Sequence, residues 1–283
     1  MEKMLNELTV VQANDFVQQT NWTLDTVPLK LFKALVSEID VRHPPVDNTV
    51  TVHKSELIKL LDTNATNYTY LRRRLRQLVT SVKVEDNEDE EHYVALVQDI
   101  FWKKETDVVK VKFHEAVMPY LVGLKERFLT YPAANIDHFK SKYGLILYEF
   151  LLSKEHQYHD SSYVVDIDHL RRLTGTEKLY DRFGNFEAKV IKTAVDDINA
   201  AGVEILVSYE KIKPGRNVEA IRFFVRRRNS FHDDSYDEIT VRPDQLHEID
   251  ALQQKMSKMP GHSAPPKGQT TIDDFIGSKK KKA

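Results

Sequence analysis

The feature that most constrains this chain is a series of short elements that occurs twice. The apolar helical pattern LFKALV at residues 31–36 has a counterpart in ILYEFL at residues 146–151. Each pattern is followed by a short β-branched strand that runs into Ser55 in the first copy and into Asp168 in the second. Ser and Asp are typical N-caps, so each strand is expected to lead directly into a capped helix. The alternative is a chance similarity between two amphipathic patterns.

In both copies a second helix and further strands follow the capped helix. Apolar spacing predicts the second helices at residues 67–81 and 185–200. The strands are predicted at residues 82–86, 92–102 and 108–113 in the first copy, and at 203–210 and 218–227 in the second. The order of helix, strand, two helices and hairpin is that of a winged helix. We therefore predict an α+β protein with two tandem winged-helix domains related by an internal pseudo-repeat.

Proline and small residues divide the chain. The segment TYPAANID at residues 130–137 separates the two copies, and PGHSAPPKG at 260–268 has the composition of a flexible linker. We predict an N-terminal winged-helix domain at residues 1–131, a C-terminal one at 132–230, and a flexible tail at 231–283.

Composition excludes several classes of protein. The chain has 9 glycines in 283 residues and no G-x-G, so a dinucleotide-binding fingerprint and a P-loop are both absent. It has no cysteine, which suits a reducing compartment. No apolar run reaches the roughly 18–20 residues that span a bilayer, and the N-terminus lacks a signal-peptide core. We expect a cytoplasmic protein with no cofactor, no metal and no membrane contact.

The second copy carries basic residues where a winged helix contacts DNA. Candidate DNA-binding residues occur on or before its second helix and at its hairpin tip: Arg182, Asn185, Lys189, Lys192, Lys211, Lys213, Arg216 and Asn217. The alternative is a solvated charged helix face next to a polar loop.

The first copy carries an arginine cluster and an acidic stretch. Arg72, Arg73, Arg74 and Arg76 lie on its second helix and are candidates for phosphate or guanine contacts, although one of them is expected to pair with the acidic residues 85–91. We predict that this acidic stretch forms the wing of the first copy. Its charge would then keep it away from phosphates, either as a protein contact or as a solvated loop.

Segments 141–154, 166–200 and 215–225 resemble the initiator replication proteins of iteron-containing, theta-replicating bacterial plasmids, and residues 109–131 resemble that family's junction between halves. The resemblance implies monomers bound to direct repeats of double-stranded origin DNA, with Lys189 and Lys192 reading the major groove. It also implies melting of an adjacent AT-rich segment, recruitment of the host initiator and replicative helicase, and a homodimer that represses its own gene at an inverted repeat.

Two other functions compete with the one that this resemblance implies. A rolling-circle initiator needs a His-hydrophobic-His metal pair beside a tyrosine nucleophile, and His156 and His159 do not have that spacing. We therefore expect no enzymatic activity. A dimeric winged-helix transcriptional repressor without initiator activity remains the alternative, because composition does not separate it from an initiator.

The tail QTTIDDFIGSKKKKA carries a second possible interaction. Gln269, Ile272 and Phe275 have the spacing of a peptide that docks on sliding clamps, in a form closer to archaeal and eukaryotic examples than to bacterial ones. We expect a partner-docking tail, with a clamp or another replisome component as the candidate. The alternative is a disordered tail.

Overall fold

A computed structural model of the chain describes residues 7–61, 67–86, 90–124, 127–158 and 161–228. These residues form two winged-helix units whose buried apolar side chains make one continuous core. None of the helices in these ranges combines the length and hydropathy needed to cross a membrane.

The first unit contains a three-stranded antiparallel sheet with three helices. Its elements are α2 Thr26–Ser37, β2 Thr49–His53, α3 Lys54–Ile58, α4 Tyr68–Leu75, β5 Val97–Trp102 and β6 Val108–Phe113. The strands follow the order β2-β6-β5, and Val50, Val52, Val109 and Val111 of the sheet are buried in the core. A 3-10 turn, Arg76–Leu78, extends α4, so this helix is shorter than its predicted range of 67–81.

The second unit repeats this arrangement. Its elements are α6 Lys142–Tyr158, β8 Ser162–Asp166, α7 Ile167–Leu173, α8 Phe183–Phe186, α9 Lys192–Ala201, β9 Ile205–Ile212 and β10 Ala220–Arg227. The strand order of its sheet is β8-β10-β9. A π-helical turn, Glu187–Ile191, joins α8 to α9. We call the continuous helical segment 183–201 the second recognition helix and α4 the first recognition helix.

Four further strands and two short helices complete the first unit. They are β1 Thr9–Ala13, α1 Asn14–Gln19, β3 Ser81–Asp86, β4 Glu91–Ala95, β7 Phe128–Pro132 and α5 Asn135–His138. β1 pairs with β7, while β3 and β4 form a separate two-stranded hairpin.

The predicted single strand at 92–102 is two strands that belong to different sheets. The break falls at buried Leu96, whose backbone N–H donates to Thr80 and whose carbonyl accepts from His114. β4 pairs with β3, and β5 pairs with β6. The β3–β4 hairpin is therefore an insertion between the first recognition helix and the wing, and the prediction that residues 85–91 form the first wing is wrong. The centre of that acidic stretch, residues 87–89, lies outside the described residues.

The connection between the last two strands of each sheet is the wing. It comprises residues 103–107 in the first unit, which we call the first wing, and residues 213–219 in the second, which we call the second wing. The repeat extends to the backbone hydrogen bonds, since Lys54 N donates to Asp107 O and Ile167 N donates to Glu219 O. In each unit this bond joins the first residue of a helix to the residue before the central strand.

The same bonds explain why the predicted N-caps are wrong. α3 begins at Lys54 and α7 at Ile167, one residue before Ser55 and Asp168 respectively, and the residue before each helix makes no side-chain capping hydrogen bond. In α3 the backbone N–H of Ser55 donates instead to Asp107 Oδ1 at 3.3 Å. Each helix begins where the pairing of the preceding strand ends. Ser55 Oγ instead donates to Asp107 Oδ2 at 2.6 Å.

A buried polar network joins β1 and α2 to α6. The carboxylate of Glu149 lies 2.8 Å from Lys33 Nζ, and both side chains are almost fully buried. Glu149 Oε1 also accepts from Gln12 Nε2 at 3.0 Å and from the hydroxyl of Tyr131 at 2.6 Å. Burial lowers the pKa of Lys33, although the negative charge of Glu149 opposes this shift. The pair therefore ties the long helix of the second unit to the first unit.

A second contact fixes the end of α7 against the first unit. Trp22 N donates to Leu173 O at 3.2 Å, and Asn21 Nδ2 donates to Glu177 Oε2 at 2.8 Å. Gly175 has a φ of 62°, and a Cβ there would lie 2.7 Å from Trp22 O. Only glycine fits this conformation and this close approach without strain.

Candidate nucleic-acid interface

The second recognition helix has one buried apolar face and one exposed polar face. Phe186, Val190, Ala194 and Ile198 are buried in the core of the second unit, as their spacing predicts. The predicted DNA-binding residues of this helix are exposed, with Arg182 at the N-cap position: Arg182, Asn185, Lys189 and Lys192. Among the described residues, none of the three cations Arg182, Lys189 and Lys192 has an ion-pair partner. The burial of the opposite face thus presents three uncompensated positive charges to solvent.

Arg171 of α7 holds the turn that leads into this helix. Its guanidinium donates to the carbonyls of Leu179 at 2.8 Å and Tyr180 at 2.9 Å, and lies 4.3 Å from the ring centroid of Phe186. Carbonyl acceptors and an aromatic face are both good partners for a planar cation. Arg171 therefore fixes the entry of the second recognition helix, a role that sequence reasoning missed.

The second wing presents three of the four predicted residues freely. Lys213, Arg216 and Asn217 are exposed. Lys211 differs, because its Nζ lies 2.9 Å from Glu187 Oε1 on the second recognition helix. The hydroxyl of Tyr209 donates to the same oxygen at 3.1 Å, and burial together with this carboxylate raises the pKa of Tyr209 to about 12. The strand before the wing is thus tied to the helix, and Lys211 is half-exposed.

The first recognition helix and the 3-10 turn that extends it carry the predicted arginine cluster. Arg72, Arg73 and Arg76 are exposed, whereas Arg74 is half-buried and lies 4.8 Å from the ring centroid of Tyr70. The expected ion pair between one of these arginines and the acidic stretch does not occur among the described residues. The described acidic residue Glu91 pairs instead with Lys83, its neighbour across the hairpin, at 3.2 Å. The arginine charges are therefore not neutralised by described carboxylates.

The first wing adds two lysines that the sequence did not single out. Lys103 and Lys104 are exposed in the connection between β5 and β6. A cleft of about 490 Å³ separates this wing from α4, and its lining includes Tyr68, Arg72 and Lys104. Each unit thus places basic residues on both a recognition helix and a wing. No motif marks Lys103 and Lys104, since their position in a wing depends on how the strands pair.

The predicted partner-docking residues of the tail do not enter this geometry. Gln269, Ile272 and Phe275 of the tail lie outside the described residues. Within the described ranges, no group of three or more His, Asp or Glu side chains could hold a metal ion.

Comparison with protein families identifies the two units. A family model described as "Initiator Replication protein, WH1" matches residues 9–152, and one described as "Initiator Rep protein, WH2" matches residues 166–225. The chain belongs to the initiator replication protein family. This membership confirms the resemblance inferred from the sequence and the prediction of two winged-helix domains.

Individual relatives of this chain are distant in sequence. A "Replication initiation protein" from Escherichia coli is 22% identical over 231 residues, which cover 78% of this chain and 70% of that protein. A solved structure, "Crystal structure of Pi initiator protein in complex with iteron DNA", matches with a TM-score of 0.61 at 18% identity and covers 78% of this chain and 98% of that chain. At this identity the match establishes a shared fold.

Proposed function

We propose that this protein initiates plasmid replication by binding directly repeated origin sequences, its iterons, through both winged-helix units. The observation that carries the proposal is the placement of exposed cations on the recognition helix and the wing of each unit, within a chain of the initiator family. A helix in the major groove with a wing on the backbone is the docking geometry of this motif. The iteron DNA bound by the Pi initiator supports the choice of ligand.

The two units would make different kinds of contact with DNA. Lys189, Lys192 and Asn185 of the second unit would read base edges, because they occupy the exposed face of its recognition helix. Arg72, Arg73 and Arg76 of the first unit would contact phosphates, together with the cations of both wings. Bound protein would then promote melting of the adjacent AT-rich DNA and recruit the host initiator and helicase, acting by binding and not by catalysis.

The decisive experiment is a footprint on the DNA that flanks the gene, followed by binding measurements at several salt concentrations. The Lys189→Ala/Lys192→Ala variant should lose about 1–3 kcal/mol for a base contact, or about one unit of salt slope for each phosphate contact. Arg222→Ala/Arg226→Ala is the matched control, because these cations alternate with buried Phe223 and Val225 and so lie on the sheet face turned away from the helices. Equal affinity of both double variants for iterons at every salt concentration would refute the assignment.

We further propose that residues 1–131 hold the dimer interface, and that dimers bind an inverted operator whereas monomers bind iterons. A two-fold protein matches a palindrome, whereas a direct repeat lacks that symmetry. Sedimentation of the two protein–DNA complexes tests this proposal. Two protomers on a single iteron would contradict it, and protection of a lone palindrome without direct repeats would favour a repressor.

A further inference from the structure

The first wing is closed by a buried lysine. Lys54 is the first residue of α3, and only 2% of it is exposed. Its Nζ donates to the carbonyl oxygens of Lys103 and Thr106 and lies 4.3 Å from the ring centroid of Trp102. A buried ammonium group is costly unless such partners compensate it. The ammonium group of Lys54 therefore stabilises the turn of the wing by binding two of its backbone carbonyls.

The pseudo-repeat shows that the fold does not need this lysine. Ile167 occupies the equivalent position in the second unit, since it also begins a helix and makes the matching backbone hydrogen bond. The second wing accordingly has no lysine beneath it, and within the described residues its backbone closure is the bond from Glu219 N to Ile212 O. The lysine thus distinguishes a wing whose carbonyls are bound by a buried side chain from a wing that is closed by a backbone hydrogen bond.

Asp107 holds the same wing from its other end. Its carboxylate accepts from Ser55 Oγ at 2.6 Å and from the Tyr68 hydroxyl at 3.4 Å, and it lies 3.3 Å from Nδ1 of His53. Ser55 belongs to α3, and Tyr68 is the first residue of α4. One carboxylate therefore connects the wing to both helices of the helix-turn-helix.

These interactions leave the lysine side chains of the wing available. The carbonyls of residues 103 and 106 are occupied by Lys54, while the side chains of Lys103 and Lys104 are exposed beside the cleft that Arg72 lines. A cation whose backbone is already fixed loses less conformational entropy when it meets a phosphate.

We propose that Lys54 and Asp107 are positioning residues that preset the first wing, so that Lys103 and Lys104 meet backbone phosphates while Lys54 and Asp107 themselves make no contact with DNA. This inference rests on the proposed DNA-binding function. It adds a specific claim, that binding by the first unit depends on two residues at the base of its wing.

The test compares the salt dependence of iteron binding for Lys54→Met and for Lys103→Ala/Lys104→Ala. The double variant should lower the salt slope by about two, one for each phosphate that the wing no longer binds. Lys54→Met should lower the slope by a similar amount although its own ammonium is buried, and the triple variant should bind no more weakly than the double. Lys59→Met is the matched control, because Lys59 is an exposed lysine directly after α3 that pairs with Glu56. The salt slope of the Lys59→Met variant should equal that of the wild type.

Asp107→Asn provides a second variant that leaves the buried ammonium of Lys54 in place, and it should show the same non-additive effect. A salt slope unchanged in both Lys54→Met and Asp107→Asn would overturn the proposal, as would effects that add to those of Lys103→Ala/Lys104→Ala. An unchanged slope in the wing double variant would overturn it too. That last result would leave the proposed function standing if Lys189→Ala/Lys192→Ala still weakened binding.

Discussion

Removing one partner of the buried pair between the two units should destabilise the whole protein. In Lys33→Met the ammonium that lies 2.8 Å from Glu149 Oε2 and 2.7 Å from Gln12 Oε1 is removed. Glu149 keeps its two donors on Oε1, but its other oxygen is left without its cation inside the core. Breaking a buried ion pair by removing one partner costs about 3–5 kcal/mol. A typical domain has only about 5–15 kcal/mol of stability, so this is a large fraction.

The compensating variant makes the reasoning testable. In Lys33→Met/Glu149→Gln no charge remains at this buried site, and the new amide supplies a donor beside Gln12, whose Oε1 Lys33 no longer occupies. We expect this double variant to lie within about 1–2 kcal/mol of the wild type, because neutral partners can satisfy one another. Urea unfolding followed by far-UV circular dichroism gives the free energy of unfolding of each variant. The single variants Lys33→Met and Glu149→Gln, the double variant and the wild type complete a double-mutant cycle.

The cycle has an outcome that would refute the argument. If Lys33→Met costs less than about 1 kcal/mol, or if the effects of the two single variants simply add, then Lys33 and Glu149 do not depend on one another. Lys140→Met is the matched control, because Lys140 is an exposed lysine in the segment before α6 and should unfold like the wild type.

Two further predictions concern other contacts around the junction of the units. Gly175→Ala should lower stability by about 1–3 kcal/mol in thermal unfolding, because its φ is 62° and Trp22 O lies where the Cβ would be, whereas Gly184→Ala, with open space around it, should not. Burial and the nearby carboxylate of Glu204 raise the pKa of Tyr148 well above 10.0, so the folded state stays protonated where the unfolded state ionises. Stability should therefore be fully retained below pH 10 and fall above it, and Tyr148→Phe should reduce that fall in unfolding measured between pH 8 and 11. An identical alkaline limb in the two proteins would contradict the assignment.

The sequence was sufficient to predict the helices, because their apolar spacing is a pattern among neighbouring residues. The spacing of LFKALV and ILYEFL predicted α2 and α6, and the periodicity of residues 185–200 predicted the second recognition helix to within two residues at either end. Helical periodicity relates residues three and four positions apart, so it predicts a helix without knowledge of the contacts that the rest of the chain makes.

The sequence was insufficient where the answer depends on strand pairing. Nothing in HYVALVQDIFW marks a break at Leu96, which is apolar and buried like its neighbours. Strand pattern alone therefore predicts the acidic hairpin as the first wing and leaves Lys103 and Lys104 unmarked. Lys54 was missed for a related reason, since a lysine is expected at the surface and only the closed wing supplies the carbonyls that accept from it.

The π-helical turn at Glu187–Ile191 determines which changes in length the second recognition helix can absorb. Phe186 and Ile198 are twelve positions apart and both fully buried. In an unbroken α-helix that separation would place the two side chains about 120° apart around the helix axis. The π-helical turn takes up one extra residue, so the angle between them falls to about 20°. Deletion of a single residue within the turn would restore regular α-helical geometry while both anchors kept the same face. Such a deletion would thus preserve the packing of the helix and change which side chains lie on its exposed face. Under the proposed DNA-binding function, the target sequence could then change through chain length as well as through substitution.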